Sequence, residues 1–296
     1  MPENGFVHSV QEPGTVLVTG ACGQIGRAVC ELLQKANIPV LPVDLDAAKT
    51  RSVRICDLRR KDDVAQLFRD YPIRAAIHLA AILPGAFQLD PLAASDINLT
   101  ASIELMRQSA QGRVKRFIFS SSASVYGSSW QPQPWTETDR AAPDEPYGAS
   151  KRALELIGET FAKSGALEFV ALRLARVVGP GIKKSSSPWR AQILESAAAP
   201  DPIRLPFSPD ALLSLVHVSE VARMILTLLQ ADRPGACVYN TPVEIWEARR
   251  LKELVEQRRK VRIELGPEGA HGGPLCDGSR FAKEFAFELR GLREYL

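Results

Sequence analysis

Long apolar runs are missing from this 296-residue chain, so a membrane span, which needs about 18 consecutive apolar residues, is not expected. Excess charge of one sign is missing too. Lys and Arg number 37 against 34 Asp and Glu, a net +3 that leaves no footprint for nucleic acid. Cysteine is sparse, and Cys22, Cys30, Cys56, Cys237 and Cys276 show no C-x-x-C spacing. The first twelve residues lack the apolar core of a secretory leader, so free thiols in a reducing cytoplasm are expected. The histidines (His8, His78, His217, His271) are scattered and form no metal-ligand set, so no metal is expected. His78, at the end of an apolar run, reads as structural. Repeats and low-complexity tracts are also lacking. The remaining composition, 45% hydrophobic and 24% charged, is that of a soluble globular protein with a substantial core.

What is present is concentrated first in Val16 to Asp44. The β-branched run Val16-Leu17-Val18-Thr19 enters a glycine cluster and leaves as an amphipathic helix, with Ile25, Val29, Leu32 and Leu33 at helical spacing. A second apolar run, Val40-Leu41-Pro42-Val43, ends at Asp44. That order is strand, phosphate loop, helix, strand. Gly20 permits the sharp turn, Gly23 lets backbone N–H groups approach a pyrophosphate, and Gly26 allows close helix packing. The helix N-terminus offers partial positive charge to the anion. Asp44 can accept the ribose hydroxyls of NAD and would repel the 2′-phosphate of NADP. NAD is the expected cofactor.

Further along, Arg51 to Cys56 reads as a third strand ending at Asp57-Leu58. Asp57 is placed either to meet an adenine ring or to cap a helix over 61–70. Ala75 to Ala81 reads as a buried strand whose final alanines, Ala80 and Ala81, let a cofactor lie against backbone. A long helix over 91–111, a strand over 114–120, a proline-rich ordered loop over 128–146, a helix over 147–163 and a strand over 167–174 follow. The alternation indicates an α/β fold, a Rossmann-type doubly wound parallel sheet. Leu212 to Val218 and Glu220 to Gln230 read as a strand and helix returning to that sheet. The expected cofactor domain is 1–174 plus 212–240. Residues 175–211 plus 241–296 are expected to form a small, discontinuous substrate lobe.

Tyr147-Gly148-Ala149-Ser150-Lys151 is the second informative motif. Tyrosine and lysine at i and i+4 share a helix face, and an ammonium beside a phenol favours the phenolate. A phenolate is a general base for a carbinol proton as hydride leaves. Lys151 can also hold the nicotinamide ribose. Ser122, at the carboxyl end of a parallel strand, can share the substrate oxygen with Tyr147. Arg173, Arg176, Lys183, Lys184, Arg190 and Arg204 cluster in sequence around the lobe. Arg173 and Arg176, which follow a buried strand, are the expected ligands of an anionic substrate. Ser122 and Ser124 complete the expected substrate contacts.

These residues together resemble the extended short-chain dehydrogenases/reductases, the NAD-dependent epimerase/dehydratase group. The matching pieces are Thr19 to Gly26, Asp57-Leu58, His78 to Ala81, Asn98, Ser120 to Ser122 with Val125-Tyr126-Gly127, Tyr147 to Lys151, Leu172-Arg173, Gly179-Pro180 and Val216-His217-Val218. The resemblance implies a Ser122/Tyr147/Lys151 triad. It implies cofactor contacts from Gly20, Gly23, Gln24, Ile25, Gly26, Asp44, Asp57, Leu58, Ala80, Ala81, Asn98, Tyr147 and Lys151, with Asn98 acting through the helix it bends. It also implies a homodimer through the helices near 91–111 and 147–163. The run Ser122-Ala123-Ser124 lacks the carboxylate pair of the group's sugar-nucleotide dehydratases, so dehydration is disfavoured. Arg176 stands where UDP-galactose 4-epimerases of the group usually carry Asn. The chain is also shorter than those enzymes, the loss falling in the substrate lobe. The activity implied is epimerisation or oxidoreduction of a sugar-derived anionic substrate such as a nucleotide sugar. The alternatives are a dehydrogenase or reductase of a free sugar acid or aldose with exchangeable cofactor, and a non-catalytic dinucleotide sensor.

Overall fold

Val16, Leu17 and Val18 are wholly buried although they are consecutive, because their strand is covered on both faces. The computed structural model describes residues 14–46, 52–128, 131, 133–181, 187–195 and 201–296. The N-terminal arm, the start of the third strand at Arg51, Trp130, Lys183 and Lys184 lie outside the described residues. The first half alternates β1 (Thr15–Thr19), α1 (Gln24–Lys35), β2 (Val40–Asp44), β3 (Arg54–Ile55), α2 (Lys61–Asp70) and β4 (Ile73–His78). Then come α3 (Pro84–Leu89), α4 (Pro91–Ser95), α5 (Ser102–Gln111), β5 (Arg116–Ser122), α6 (Pro146–Lys163) and β6 (Glu168–Leu174).

The second half contains β7 (Arg176–Val178), α7 (Trp189–Gln192), β8 (Ile203–Leu205), β9 (Leu212–His217), α8 (Val218–Gln230) and β10 (Val238–Asn240). It closes with β11 (Glu244–Glu247), α9 (Ala248–Arg259), β12 (Ile263–Leu265) and α10 (Ser279–Glu284). Seven strands form one parallel sheet in the order β10-β6-β5-β4-β1-β2-β3. On one face Val29 and Leu33 of α1 and Val221 and Ile225 of α8 pack on Val16, Val18 and Ile77. On the other, Val64 of α2, Leu105 of α5 and Leu154 of α6 pack on Leu17, Phe117 and Phe119. Successive residues of β1 thus serve opposite cores. Sequence order reverses at β1, between β2 and β4, which is where open α/β sheets bind ligands.

Two expectations are corrected here. β9 does not return to the main sheet. It pairs with β7 and β11 in a separate three-stranded sheet, and the return is made by α8 and β10. The short runs of β7 and β11 give too little periodicity to reveal that sheet. The helix expected over 91–111 is α4 and α5 joined by a π-helical turn, Asp96–Ala101, with Asn98 buried inside it. A third core around Trp189, Leu205, Leu213 and Leu251 fills the lobe, with β8 and β12 paired at its side.

Candidate active site

The loop after β1 is built on close approach. Gly20 has φ +68°, and a Cβ there would lie 2.7 Å from the backbone nitrogen of Ala80. A Cβ on Gly26 would lie 2.1 Å from the carbonyl oxygen of Gly20. The loop therefore lies against the end of β4 with no space for side chains. It borders a cavity of about 840 Å³ that also has Asp44, Asp57, Leu58, Ala80 and Ala81 in its wall. Asp44 accepts from the Cys22 backbone N–H at 2.8 Å, tying the end of β2 to the loop. Glycine cradle, α1 N-terminus and Asp44 fit a dinucleotide: backbone N–H groups for the pyrophosphate, a carboxylate for a ribose.

Asp57 does not cap α2, whose N-cap is Arg60 without a side-chain bond. It forks instead onto Arg59, at 2.9 Å to Nε and 2.6 Å to Nη2. Asn98 was expected among the cofactor contacts, but it acts through Ile82. Its Oδ1 accepts from Ile82 N at 2.7 Å and its Nδ2 donates to Ile82 O at 2.9 Å. The π turn aims this amide at the loop that ends β4. His78 is structural, as expected. Its ring bridges the Thr19 and Ser102 hydroxyls at 2.7 and 2.8 Å, and burial, then Lys151, pushes its pKa down to about 3.

A second cavity, of about 480 Å³, shares Gly20, Gly23, Leu79 and Ala81 with the first, so the two are one cleft. Gln24, Ile25 and Gly26 line it on the cofactor side; Ser122, Ser124, Tyr147 and Lys151 line it on the other. The three triad residues are therefore brought together. Glu145 caps α6 by accepting from the backbone of Tyr147 and Gly148, which fixes the helix start that carries Tyr147.

The electrostatics differ from expectation. Burial pushes the Tyr147 phenol up to about 12; the hydrogen bond with Ser122 pulls it down, Glu145 pushes it up and Arg190 pulls it down. The largest pull toward the phenolate is that of Ser122, and Arg190 adds to it. Lys151 donates to the Ser120 carbonyl at 2.8 Å, and its Nζ lies 5.5 Å from the centre of the Tyr147 ring. Burial brings its pKa down to about 7, against the opposing pull of Glu155.

Arg173 is a clear correction. It was expected to meet substrate, yet it is buried and forks onto Glu155, with Nε–Oε1 and Nη2–Oε2 both 2.8 Å. Its Nη1 donates to the Tyr126 hydroxyl at 2.8 Å. Glu155 stands one helical turn beyond Lys151 and also accepts from Ser121. The strand that carries Arg173 directs it under the sheet's end, into a network joining β5, β6 and α6. Arg176 does reach the cleft. Its Nη1 donates to the Gly272 carbonyl at 2.7 Å and its guanidinium lies 4.8 Å from the Phe207 ring centre. Arg190, which was named only within the basic cluster, lines the same cavity. It is anchored by its neighbour Trp189, a fully buried side chain, and a tryptophan beside arginine in a Ser/Pro-rich stretch was the available signal. Arg204, by contrast, is exposed and pairs with Glu264.

Among the described residues no group of three metal-ligating side chains occurs, and no helix is long and apolar enough to cross a membrane. None of the five cysteines is in a disulfide among the described residues.

Residues 16–241 match the family model described as NAD dependent epimerase/dehydratase family. A UDP-glucose 4-epimerase from Erwinia amylovora is 31% identical over 207 residues, covering 60% of this chain and 61% of that one. Against the first curated relatives the match spans between about half and three fifths of their length. Among solved structures, MoeE5 in complex with UDP-glucose and NAD is 27% identical, with a TM-score of 0.78 and 95% of each chain covered. L-Threonine 3-dehydrogenase from Trypanosoma brucei has a TM-score of 0.84 over 95% of this chain and 93% of that one; at 19% identity this is a likeness of fold.

Proposed function

The chain belongs to the NAD dependent epimerase/dehydratase family, and we propose that it is an NAD-dependent epimerase or oxidoreductase acting at a carbinol of a sugar-derived, anionic substrate. The observation that carries this reading is the continuity of the cleft. The glycine loop and Asp44 border one end, and Ser122, Tyr147 and Lys151 border the other. The names of the relatives, UDP-glucose 4-epimerases and a protein solved with UDP-glucose and NAD, support a nucleotide sugar as one substrate class.

Gly20, Gly23 and the α1 N-terminus would hold the pyrophosphate, Asp44 the adenosine ribose, and Ala80 and Ala81 the flat path between. Bound there, NAD supplies the acceptor for a hydride from a carbinol carbon, and its charged ring favours an anion beside it. The chain's own residues manage the proton. Tyr147, as phenolate, takes the hydroxyl proton while the carbinol C–H leaves with its electron pair, and a carbonyl remains. Ser122 would share the same oxygen, and its effect on the phenol favours the phenolate. Lys151 spends one donor on Ser120 and keeps two for ribose hydroxyls. Return of hydride to the other face of a retained carbonyl makes an epimerase; release of the carbonyl makes a dehydrogenase.

Tyr147→Phe tests this reading. The variant is expected to bind NAD while forming neither reduced nicotinamide nor epimer across a panel of sugar nucleotides, sugar acids and aldoses. Full turnover in that variant would remove Tyr147 as the base, and unaltered biological activity without turnover would favour a sensor. A homodimer is part of the proposal. Leu92 and Leu156, exposed by 78% and 48% on α4 and α6, support those helices as its contact.

A further inference from the structure

Arg176 and Arg190 place two guanidinium groups in the wall of one cavity, together with Tyr147 and Ser122. Neither forms an ion pair with an acid among the described residues. The flanking segments 182–186 and 196–200 contain no Asp or Glu in their sequence. The Nε of Arg190 is buried and has no hydrogen-bond partner. Arg176 has one arm held by Gly272 O and its face against Phe207, which fixes its direction without neutralising it. Burying like charges side by side, with a donor left unpaired, is costly unless an anion completes the set.

The position of the pair says which anion. Arg176, Arg190 and Tyr147 all line the same cavity of about 480 Å³, so the three groups face one space. Tyr147 marks the reacting carbinol. An anion held by these arginines therefore lies within a few bonds of the carbon that is oxidised. The diphosphate of a nucleotide sugar is attached at the far end of the sugar from such a carbinol. A carboxylate on the sugar itself can be adjacent, and its planar oxygens match a guanidinium fork. The cavity of about 480 Å³ must also admit the nicotinamide end of the cofactor, which favours a compact group at this point.

We propose that Arg176 and Arg190 form a carboxylate subsite beside Tyr147, so that the substrate is a sugar acid oxidised at a carbinol near its carboxylate. This rests on the hydride-transfer reading above. A free sugar acid and a nucleotide-linked uronate share the recognised group.

The test is calorimetric titration of the NAD-loaded protein with matched pairs. D-Glucuronate, D-galacturonate and D-gluconate are set against glucose, galactose and sorbitol; UDP-glucuronate is set against UDP-glucose. At least one acid is expected to bind about tenfold or more tightly than its neutral partner, as a charge-assisted pair requires. Arg190→Gln and Arg176→Gln should each abolish that preference, and Arg190→Lys should keep part of it. NAD affinity, titrated in each variant, reports that the cleft is folded. A preference confined to the UDP pair assigns the acid to a nucleotide sugar, and one seen with the free acids assigns it to those; either supports the subsite. No acid preferred by the wild type, or a preference that survives Arg190→Gln, overturns it. If the acid preference holds but neither reduced nicotinamide nor epimer ever forms, the subsite stands and the hydride-transfer reading falls.

Discussion

Glu155 and Arg173 meet through both arms of the guanidinium, at 2.8 Å each, with side chains 0% and 2% exposed. Removing one partner leaves the other charge buried, which costs about 3–5 kcal/mol. Arg173→Met should therefore lower unfolding free energy by about that amount in urea titrations, and Glu155→Leu added to it should recover much of the loss. Burial pushes the Glu155 carboxyl up, but hydrogen bonds and charge from Arg173, with Ser121 and Arg152, hold it below the ordinary 4.5. A depressed carboxylate contributes stability that is full above its unfolded pKa and lost as pH falls through the folded one. Wild type should accordingly lose stability below about pH 4.5, and Arg173→Met should lack that component.

Tyr147→Phe and Ser122→Ala separate proton transfer from oxygen holding. The first removes the acceptor and should lower kcat by about 10²–10⁴-fold with NAD affinity unchanged. The second removes a bond that favours the phenolate, so the alkaline shift of the pH–rate profile should be larger than in wild type. Steady-state rates from pH 6 to 10 check both; an unshifted Ser122→Ala profile would show that Ser122 does not act on the phenol.

Lys151 gives a stability slope of the same sign as Glu155, in a more alkaline window. Its folded pKa, about 7, lies below the ordinary 10.5 because it is buried. Between those values the unfolded chain binds a proton that the folded one does not, so stability rises with pH across that window. The slope is at most about 1.4 kcal/mol per pH unit. Protein stripped of cofactor should be stabilised from pH 7 to 9.5, and Lys151→Met should show a flatter curve in the same denaturation series.

Where geometry depended on local spacing, it was legible. The glycine cluster needs only backbone freedom and a helix start, and Gly20, Gly26 and Asp44 stand where that logic put them. Tyr147 and Lys151 share a helix face by periodicity alone. What failed depended on contacts distant in sequence. Arg173 and Arg176 both follow an apolar run, and only the position of Glu155 on α6, 18 residues upstream of Arg173, decides that one is neutralised and the other is not. The small sheet was hidden because β7 has three residues and its partner β9 lies distant in sequence, beyond α7 and β8.

Asp44 separates the two dinucleotides. Its Oδ2 accepts from Cys22 N at 2.8 Å and its Oδ1 from Asp46 N at 3.3 Å, and the carboxylate so held borders the dinucleotide cavity. Asp44→Ala should weaken NAD by about 10–100-fold, the scale of a charge-assisted hydrogen bond, and should weaken NADP less because repulsion of the 2′-phosphate is relieved. Competition titrations with both cofactors check the ratio. An unchanged ratio would leave the choice to other residues of the pocket.

The last prediction concerns how the cofactor is kept. Two side chains from the first turn of α1 cross to the Gly179–Gly181 segment. Gln24 Nε2 donates to Gly179 O at 2.8 Å, and Arg27 donates to both Cys22 O and Gly181 O. Arg27 also borders the dinucleotide cavity, so this strap passes beside the phosphate loop. Leaving the cleft along that side requires the strap to open, and affinity changes of this kind fall mostly on the off-rate. Arg27→Ala removes two charge-assisted bonds and should speed NAD release by about tenfold or more while changing the on-rate little. Displacement of bound NADH by excess NAD, followed by its fluorescence, measures this directly. An epimerase must retain its cofactor through each cycle, so wild type denatured after purification should release near-stoichiometric NAD if the strap serves epimerisation, and Arg27→Ala should release little. Wild type that is purified empty and exchanges NAD freely would instead make the strap a resting contact and the enzyme a dehydrogenase.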